Sequence, residues 1–186
     1  YLYFTMNLIK LDAIDSTNEY LKELSKQNSL ENFTIVTADN QTKGKGQMGA
    51  NWDSEKGKNL IMSILIKDFL LSSKDVFQLS MLVSVSVIKA LEILEIPNLK
   101  IKWPNDILSD AKKIGGILIE NSFKSDGSIV SIIGIGINVN QINFELLPKA
   151  SSLKLIMNKN FDRNEILNLV VDTIQNNIKI LQTKPN

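Results

Sequence analysis

The apolar positions of the chain fall into six stretches with strand spacing and three with helix spacing, in the order βαββαβββα. Leu8 to Ile14 alternates well enough for a strand. Asp15-Ser16-Thr17-Asn18-Glu19 then opens a helix, with Ser16 and Glu19 at capping-box spacing and Tyr20, Leu21 and Leu24 on one face. Phe33 to Ala38 is a β-branched, aromatic run. Asn59 to Lys67 sets Leu60, Met62, Ile64 and Ile66 on one face against Ile61, Ser63 and Leu65 on the other. Both faces are mostly apolar, which predicts a central strand. A long helix from about Lys74 to Leu94 turns Val76, Leu79, Leu82, Val83, Ile88 and Leu91 inward and stops before Pro97. Met62 and Met81 are read as core filler.

The later strands carry a second pattern. Leu99, Ile101 and Trp103 alternate until Pro104, which has no N–H for a ladder, so the chain turns there and presents Asn105 and Asp106. Such a sequence suits a plain β-turn as well as a site. Asp110 to Lys113 is a second turn, leading into Ile114-Gly115-Gly116-Ile117-Leu118-Ile119-Glu120. Paired glycines weaken a strand unless something must approach its backbone. After a hairpin at Lys124 to Gly127, Ile129 to Val139 alternates Gly134 and Gly136 with Ile133, Ile135 and Ile137. One face is then bare while the other enters a core, and two such neighbouring strands make a groove. A last helix, Asp162 to Leu181, begins with an Asp162/Glu165 capping box and turns Ile166, Leu169, Val170, Ile174 and Ile178 inward. No repeat or linker divides these 186 residues, which are read as one domain.

Between the second and third strands lies Gln41-Thr42-Lys43-Gly44-Lys45-Gly46-Gln47-Met48-Gly49-Ala50-Asn51-Trp52. Glycines let backbone N–H groups approach an anion and the lysines add charge, so the stretch outlines a phosphate and carboxylate site. A basic surface loop is the alternative. Ser16, Thr17 and Asn18 likewise suit either a helix cap or the grip on a small polar ligand.

Composition narrows the chemistry by what it lacks. The chain contains no Cys and no His, which excludes thiolate nucleophiles, imidazole bases and the usual zinc ligands. Lys and Arg number 21 against 20 acidic residues, without the basic bias of a nucleic-acid binder. No stretch reaches the ~18 consecutive apolar residues of a membrane span. Tyr1 to Thr5 lack the features of a signal peptide and are read as an added segment or an extra edge strand, and a cytoplasmic protein is expected.

Taken together, Asp15-Ser16-Thr17-Asn18, Gln41-Thr42-x-Gly44-Lys45-Gly46-x-x-Gly49 with Trp52, Lys102-Trp103-Pro104-Asn105-Asp106, Lys113-x-Gly115-Gly116-Ile117-Leu118-Ile119-Glu120 and Gly134-x-Gly136-Ile137-Asn138 resemble biotin protein ligase. The resemblance covers nearly all of residues 8 to 181. It implies an α+β fold, a mixed, largely antiparallel sheet with helices on one side, like the catalytic domain of class II aminoacyl-tRNA synthetases. It also implies a biotin-[acetyl-CoA-carboxylase] ligase that uses ATP and Mg²⁺ to form biotinyl-5'-AMP. Biotin is then transferred to a lysine of a biotin carboxyl carrier domain of acetyl-CoA or pyruvate carboxylase.

By the same resemblance, Ser16, Thr17, Asn18 and Gln41 would bind the ureido ring. Lys45, Gly46 and Gln47 would cover biotin and reach the phosphate, and Gly115 and Gly116 would let biotin lie on the strand. Gly44, Trp52, Asn105 and Asn138 would meet the nucleotide. Lys113 would be the catalytic lysine, helped by Lys45 and by Asp106, which would also sit near Mg²⁺.

The chain departs from the family in its loop, where arginines are usual and Lys45, Gln47, Met48 and Ala50 stand. Lysine lacks the planar fork of arginine and Gln47 lacks charge, so weaker adenylate retention is expected. Too few residues precede Ser16 for a helix-turn-helix, and the small β-barrel that usually follows the last helix is not in the sequence. Repressor activity is therefore not expected, and ATP affinity is in question. Pairing with a second copy through a sheet edge is left open. Lipoate protein ligase, of the same fold, usually carries a His-Asp pair that this chain lacks. A non-catalytic biotin or adenylate-binding module is the other alternative.

Overall fold

The most apolar of the predicted strands lies near the middle of the sheet. In the computed structural model, which describes residues 6–27, 29–67, 69 and 75–183, every residue of β3 (Leu60–Lys67) except the last is buried. Tyr1 to Thr5, with any edge strand there, and Lys74 lie outside the described residues. The remaining strands are β1 (Asn7–Leu11), β2 (Thr34–Ala38), β4 (Leu99–Lys102), β5 (Asp106–Ser109), β6 (Lys112–Phe123) and β7 (Ile129–Ile137). They form one sheet in the order β1-β2-β3-β7-β6-β5-β4, in which β1 and β2 are parallel and all other neighbours antiparallel.

The helices are α1 (Thr17–Gln27), α2 (Val76–Ile93), α3 (Leu153–Met157) and α4 (Arg163–Thr183). α2 and α4 cover one face, packing Leu79, Val83, Val87, Ile166, Val170 and Ile174 on Leu60, Met62, Ile64, Ile133 and Ile135. α1 lies on the opposite face, where Leu21 meets Val36, Leu65, Val130 and Ile132. The expected one-sided layer is thus joined by a helix on the other side, and the free part of that second face becomes the site. α2 is, among the described residues, the helix long and apolar enough by length and composition to cross a membrane. Here its inner stripe is part of the core.

Local differences from the sequence pattern have simple causes. β5 is four residues long, too short to display a period, and was hidden between two turns. α3 is also short and begins at Ser152, whose hydroxyl accepts from the Leu155 N–H. The strand expected over Leu8 to Ile14 ends at Leu11, with Ile14 touching Gln41 only as an isolated bridge. Met62 is core, but Met81 is 45% exposed on the outer side of α2 and fills no core gap. Asp162 caps α4 by accepting from the Asn164 N–H at 2.8 Å.

A polar cluster ties the end of β3 to the segment after β7. Asn59 donates to Gln141 Oε1 at 2.5 Å and accepts from the Val139 N–H at 3.1 Å. Ser152 Oγ donates to the Gln141 carbonyl at 2.6 Å. Lys113 N donates to Lys149 O and Ser151 N to Lys113 O, so the end of this segment, just before α3, also fixes the start of β6.

Ile64 has no exposed surface and touches the α2/α4 layer. Ile64→Ala is expected to lower unfolding free energy by about 2–5 kcal/mol, as core truncations do. Met48→Ala, at a fully exposed position, should stay within about 0.5 kcal/mol. Urea titration of both variants measures the contrast, and equal effects would count against this core.

Candidate functional site

The floor of the site follows from strand register. On the α1 side of the sheet, Ile61, Gly136 and Gly116 stand in one row, and Ser63, Gly134 and Leu118 in the next. The intervening Ile133, Ile135 and Ile137 point into the α2/α4 core. Three missing side chains leave a trough that Asn18 and Trp52 enter. A Cβ on Gly134 would lie 2.5 Å from Asn18 Oδ1, one on Gly136 2.5 Å from the Trp52 ring, and one on Gly116 3.1 Å from the same ring. The result is a cleft of about 340 Å³. Gly115, expected to face biotin, instead faces the other way: its Cβ would meet Gly136 O at 3.0 Å and Ile107 at 3.5 Å. It permits strand approach and does not line the cleft.

The closed end is polar. Ser16, Thr17 and Asn18, at the start of α1, are each 3% exposed and line the cleft. Gln41 Oε1 accepts from the Thr17 N–H at 2.8 Å and lies 3.0 Å from Thr17 Oγ1. The Gln41 carboxamide nitrogen is thereby turned away from Thr17, beside Gly44. Asn18 Nδ2 donates to Glu120 Oε2 at 2.9 Å, and Glu120 pairs with Lys22 at 3.3 Å. Buried Ser63 lies 2.8 Å from Thr17 Oγ1 and 2.6 Å from Asn18 Oδ1. Sequence reasoning passed over Ser63, although a hydroxyl in the otherwise apolar centre of β3 was a visible signal.

The glycine-lysine stretch folds as a small hairpin. Trp52 N donates to Gly44 O at 2.9 Å, Gly46 N to Ala50 O at 2.7 Å, and Lys45 bridges Asn51. Gly44 is required by this closure, since a Cβ there would lie 2.3 Å from Trp52 O; it does not line the cleft. Met48, at the tip, takes a left-handed φ of 54°. Both lysines are held by carboxylates: Lys43 by Asp15 at 2.8 Å, and Lys45 by Glu19 at 2.8 Å. Ser16 caps α1 at 3.5 Å from the Glu19 N–H, but the Glu19 side chain goes to Lys45, so the capping box is only half made. The Lys45 hydrogen bond holds the Glu19 carboxyl below its ordinary range, and Lys43, then Thr42, do the same for Asp15. Lys45 is raised by Glu19 in return.

The open end gathers the catalytic candidates. Lys113 Nζ lies 2.6 Å from Asp106 Oδ1 and 5.8 Å from the Trp52 ring centre. Asp106 also faces Lys102 at 3.9 Å. Asn105 lines the cleft, and its carbonyl accepts from the Ile117 N–H. Beyond Trp52 and Lys113 a second, more apolar cleft of about 330 Å³ begins, walled by Phe144, Leu146, Leu147 and Pro148. Asn138 borders it, but its amide donates to Ser151 O and so supports the wall. Gly46 and Gln47 border the first cleft. The described residues hold no cluster of three or more acidic side chains. With its oxygens on Lys113 and Lys102, Asp106 does not build a cation site alone.

Trp52 Nε1 is buried and has no hydrogen-bond partner among the described residues, at the junction of the two clefts. The arrangement provides amide and hydroxyl groups at one end, a bare apolar trough, and a lysine-carboxylate pair at the other. It suits a ligand with a polar head, a slender body and an anionic tail, lying beside a second ligand.

Comparison with known proteins identifies the relatives of the chain. Residues 11–140 match the model of the biotin/lipoate A/B protein ligase family. The bifunctional ligase/repressor BirA of Bacillus spizizenii is 38% identical over 165 residues, covering 87% of this chain and 50% of that protein. The biotin--[acetyl-CoA-carboxylase] ligase of Mycobacterium tuberculosis is 27% identical over 154 residues, 81% of this chain and 56% of that one. The chain therefore spans about half the length of these curated relatives. The Aquifex aeolicus biotin protein ligase solved with biotin and ATP superposes with a TM-score of 0.81 at 38% identity, covering 96% of this chain and 72% of that one.

Two tests follow from the site geometry. Gly136→Ala puts a methyl into the Trp52 ring, so the ring must leave the trough; in a Trp103→Phe background its fluorescence should shift to the red, and an unchanged spectrum would contradict the packing. The hairpin tethers involve carboxyls whose folded values are lowered, so they are intact above ordinary carboxylate values and lost as pH falls through the lowered ones. NMR relaxation should find residues 43–51 more mobile at a pH well below the ordinary carboxylate range than at pH 7. Glu19→Gln should loosen the loop already at pH 7; equal mobility in all three samples would refute the tether.

Proposed function

The chain belongs to the biotin/lipoate A/B protein ligase family, and on that basis we propose that it joins biotin to a lysine of a biotin carboxyl carrier domain at the expense of ATP. The observation that carries this reading is the order of groups along the cleft: an amide-hydroxyl end, a glycine trough, then Lys113 with Asp106 where the second cleft begins. Biotin has a urea head, an aliphatic chain and a carboxylate tail, in that order.

In the first step a biotin carboxylate oxygen attacks the α-phosphorus of ATP. The bond from that phosphorus to the bridging oxygen breaks, giving biotinyl-5'-AMP and pyrophosphate. Two anions must be held together, and at ~4 Å with an effective dielectric of 20 each like-charge contact opposes this by about 4 kcal/mol. Lys113 offsets this where the two clefts meet, with Asp106 fixing the ammonium position. Lys45 is the second cation at the cleft, and reaches an anion by leaving Glu19. Mg²⁺ enters as part of the MgATP substrate and would draw on Asp106 and phosphate oxygens. The adenine would occupy the apolar cleft beside Trp52, with Asn138 at its wall.

In the second step a carrier lysine amine attacks the acyl carbon, AMP leaves, and an amide and a proton result. The mixed anhydride is already activated, so no enzyme nucleophile is needed and the lack of Cys and His is no obstacle. Asp106, 18% exposed at the mouth, is the carboxylate suited to orient the amine. The carrier would come from acetyl-CoA or pyruvate carboxylase, which fits a cytoplasmic setting. A lipoate-type substrate is a weaker fit, because a dithiolane head would leave the Gln41 amide without an acceptor.

Incubation with MgATP, labelled biotin and an acceptor domain should label the acceptor lysine. Lys113→Ala should slow adenylate formation by roughly 10²–10³-fold, the usual loss when a transition-state cation or donor is removed. Biotin binding without pyrophosphate release would leave only a binding module.

A further inference from the structure

We infer that Ser63 is a positioning residue that sets the hydrogen-bonding polarity of the closed end of the cleft. The inference rests on the reading of that cleft as the biotin site. Three oxygen-oxygen contacts run through the buried end: Thr17 Oγ1 to Gln41 Oε1 at 3.0 Å, Thr17 Oγ1 to Ser63 Oγ at 2.8 Å, and Ser63 Oγ to Asn18 Oδ1 at 2.6 Å. Only two hydroxyl protons are present to serve them. The amide orientations are fixed independently. Asn18 spends its nitrogen on Glu120, so its oxygen faces Ser63. Gln41 already receives the Thr17 backbone N–H on its oxygen, so its nitrogen is directed elsewhere.

The proton positions follow from the acceptors. If Thr17 gave its proton to Gln41 and Ser63 gave its own to Thr17, the Ser63 and Asn18 oxygens would face each other bare at 2.6 Å in a buried place. If Ser63 instead donated to Asn18 while Thr17 donated to Gln41, the two hydroxyl oxygens would face each other bare at 2.8 Å. A buried polar contact of that kind is costly. The order Thr17 to Ser63 to Asn18 leaves only the longest contact without a hydroxyl proton, and there the Gln41 oxygen is already satisfied by backbone.

That order commits the Thr17 proton to Ser63 and leaves Thr17, which borders the cleft, an acceptor towards a ligand, while the Gln41 nitrogen, on the side of its amide away from Thr17, is the donor. A ligand that presents an N–H next to a carbonyl, as a cyclic urea does, meets both. Ser63 is fully buried on β3 and does not line the cleft, so it acts through Thr17 and Asn18.

The test is calorimetric binding of biotin and of a biotin analogue whose ureido N–H is methylated, to the unaltered protein and to Ser63→Ala. Biotin should bind Ser63→Ala about tenfold more weakly, the scale of one buried hydrogen bond. The methylation penalty seen with the unaltered protein should shrink in the variant, so the two losses do not add. Ser63→Cys, which puts a larger but weak donor and acceptor in place of the hydroxyl, should fall between them and serves if the alanine variant does not fold. Full additivity, or biotin affinity within twofold of the unaltered protein in both variants, overturns the role of Ser63. If the unaltered protein binds no biotin, the proposed function itself falls, and this inference with it.

Discussion

The two-residue period of β7, held between β3 and β6, is the constraint on which the rest depends. The pleat sends Ile133, Ile135 and Ile137 to the α2/α4 core and leaves Gly134 and Gly136 on the other face. A slip by one residue would bring isoleucines into the trough and glycines into the core. Burying such a side chain is worth about 1.5–3 kcal/mol, so the core strongly favours one register. The trough is therefore defined by the same contacts that stabilise the domain. Its width needs no separate support.

Trp52 connects this rigid floor to the less rigid hairpin. Its ring rests where Gly116 and Gly136 lack side chains, and its backbone closes the hairpin on Gly44. The rest of the hairpin buries little: Met48 is fully exposed, and the tethers at Asp15 and Glu19 are solvent-facing ion pairs. Water screens such pairs, so they fasten the loop only weakly. The loop is thus anchored at one aromatic residue and loosely fastened elsewhere, which suits a segment that has to readjust around a ligand.

Much of this could be read from the sequence because period-two patterns survive without any three-dimensional information. The central position of β3, the bare face of β7 and the groove beside β6 were all visible in the spacing of glycine and isoleucine. What was hidden depends on counting or partner choice. A bulge between Ile107 and Leu108 shifts the pairing of β5 with β6, and which of the adjacent Gly115 and Gly116 faces the cleft could not be told from their order alone. Glu19 had a local use as the second half of a capping box, yet its side chain takes the nearby cation Lys45. Asn138 and Gly44 carried the expected pattern but serve the walls and hairpin closure, because close backbone packing needs the same residue types as ligand contact.

The cations of the site differ in how tightly they are already committed, and that difference orders their roles. Lys113 and Asp106 have side-chain exposures of 36% and 18%, against 52% and 37% for Lys45 and Glu19. Electrostatic interaction strengthens as water is excluded, so the inner pair is the stronger and better fixed of the two. An arriving anion therefore finds Lys113 in place, with Asp106 holding its position, and meets Lys45 only after displacing Glu19. On the proposed reading the inner lysine would supply preorganisation, which is where electrostatic rate enhancement comes from. On the same reading the outer lysine would supply a contact that forms with occupancy, and Glu19 would be at hand to take it back when the product leaves. A lysine at this position would make that exchange easy, since Lys45 holds Glu19 by one hydrogen bond where the planar fork of an arginine could make two.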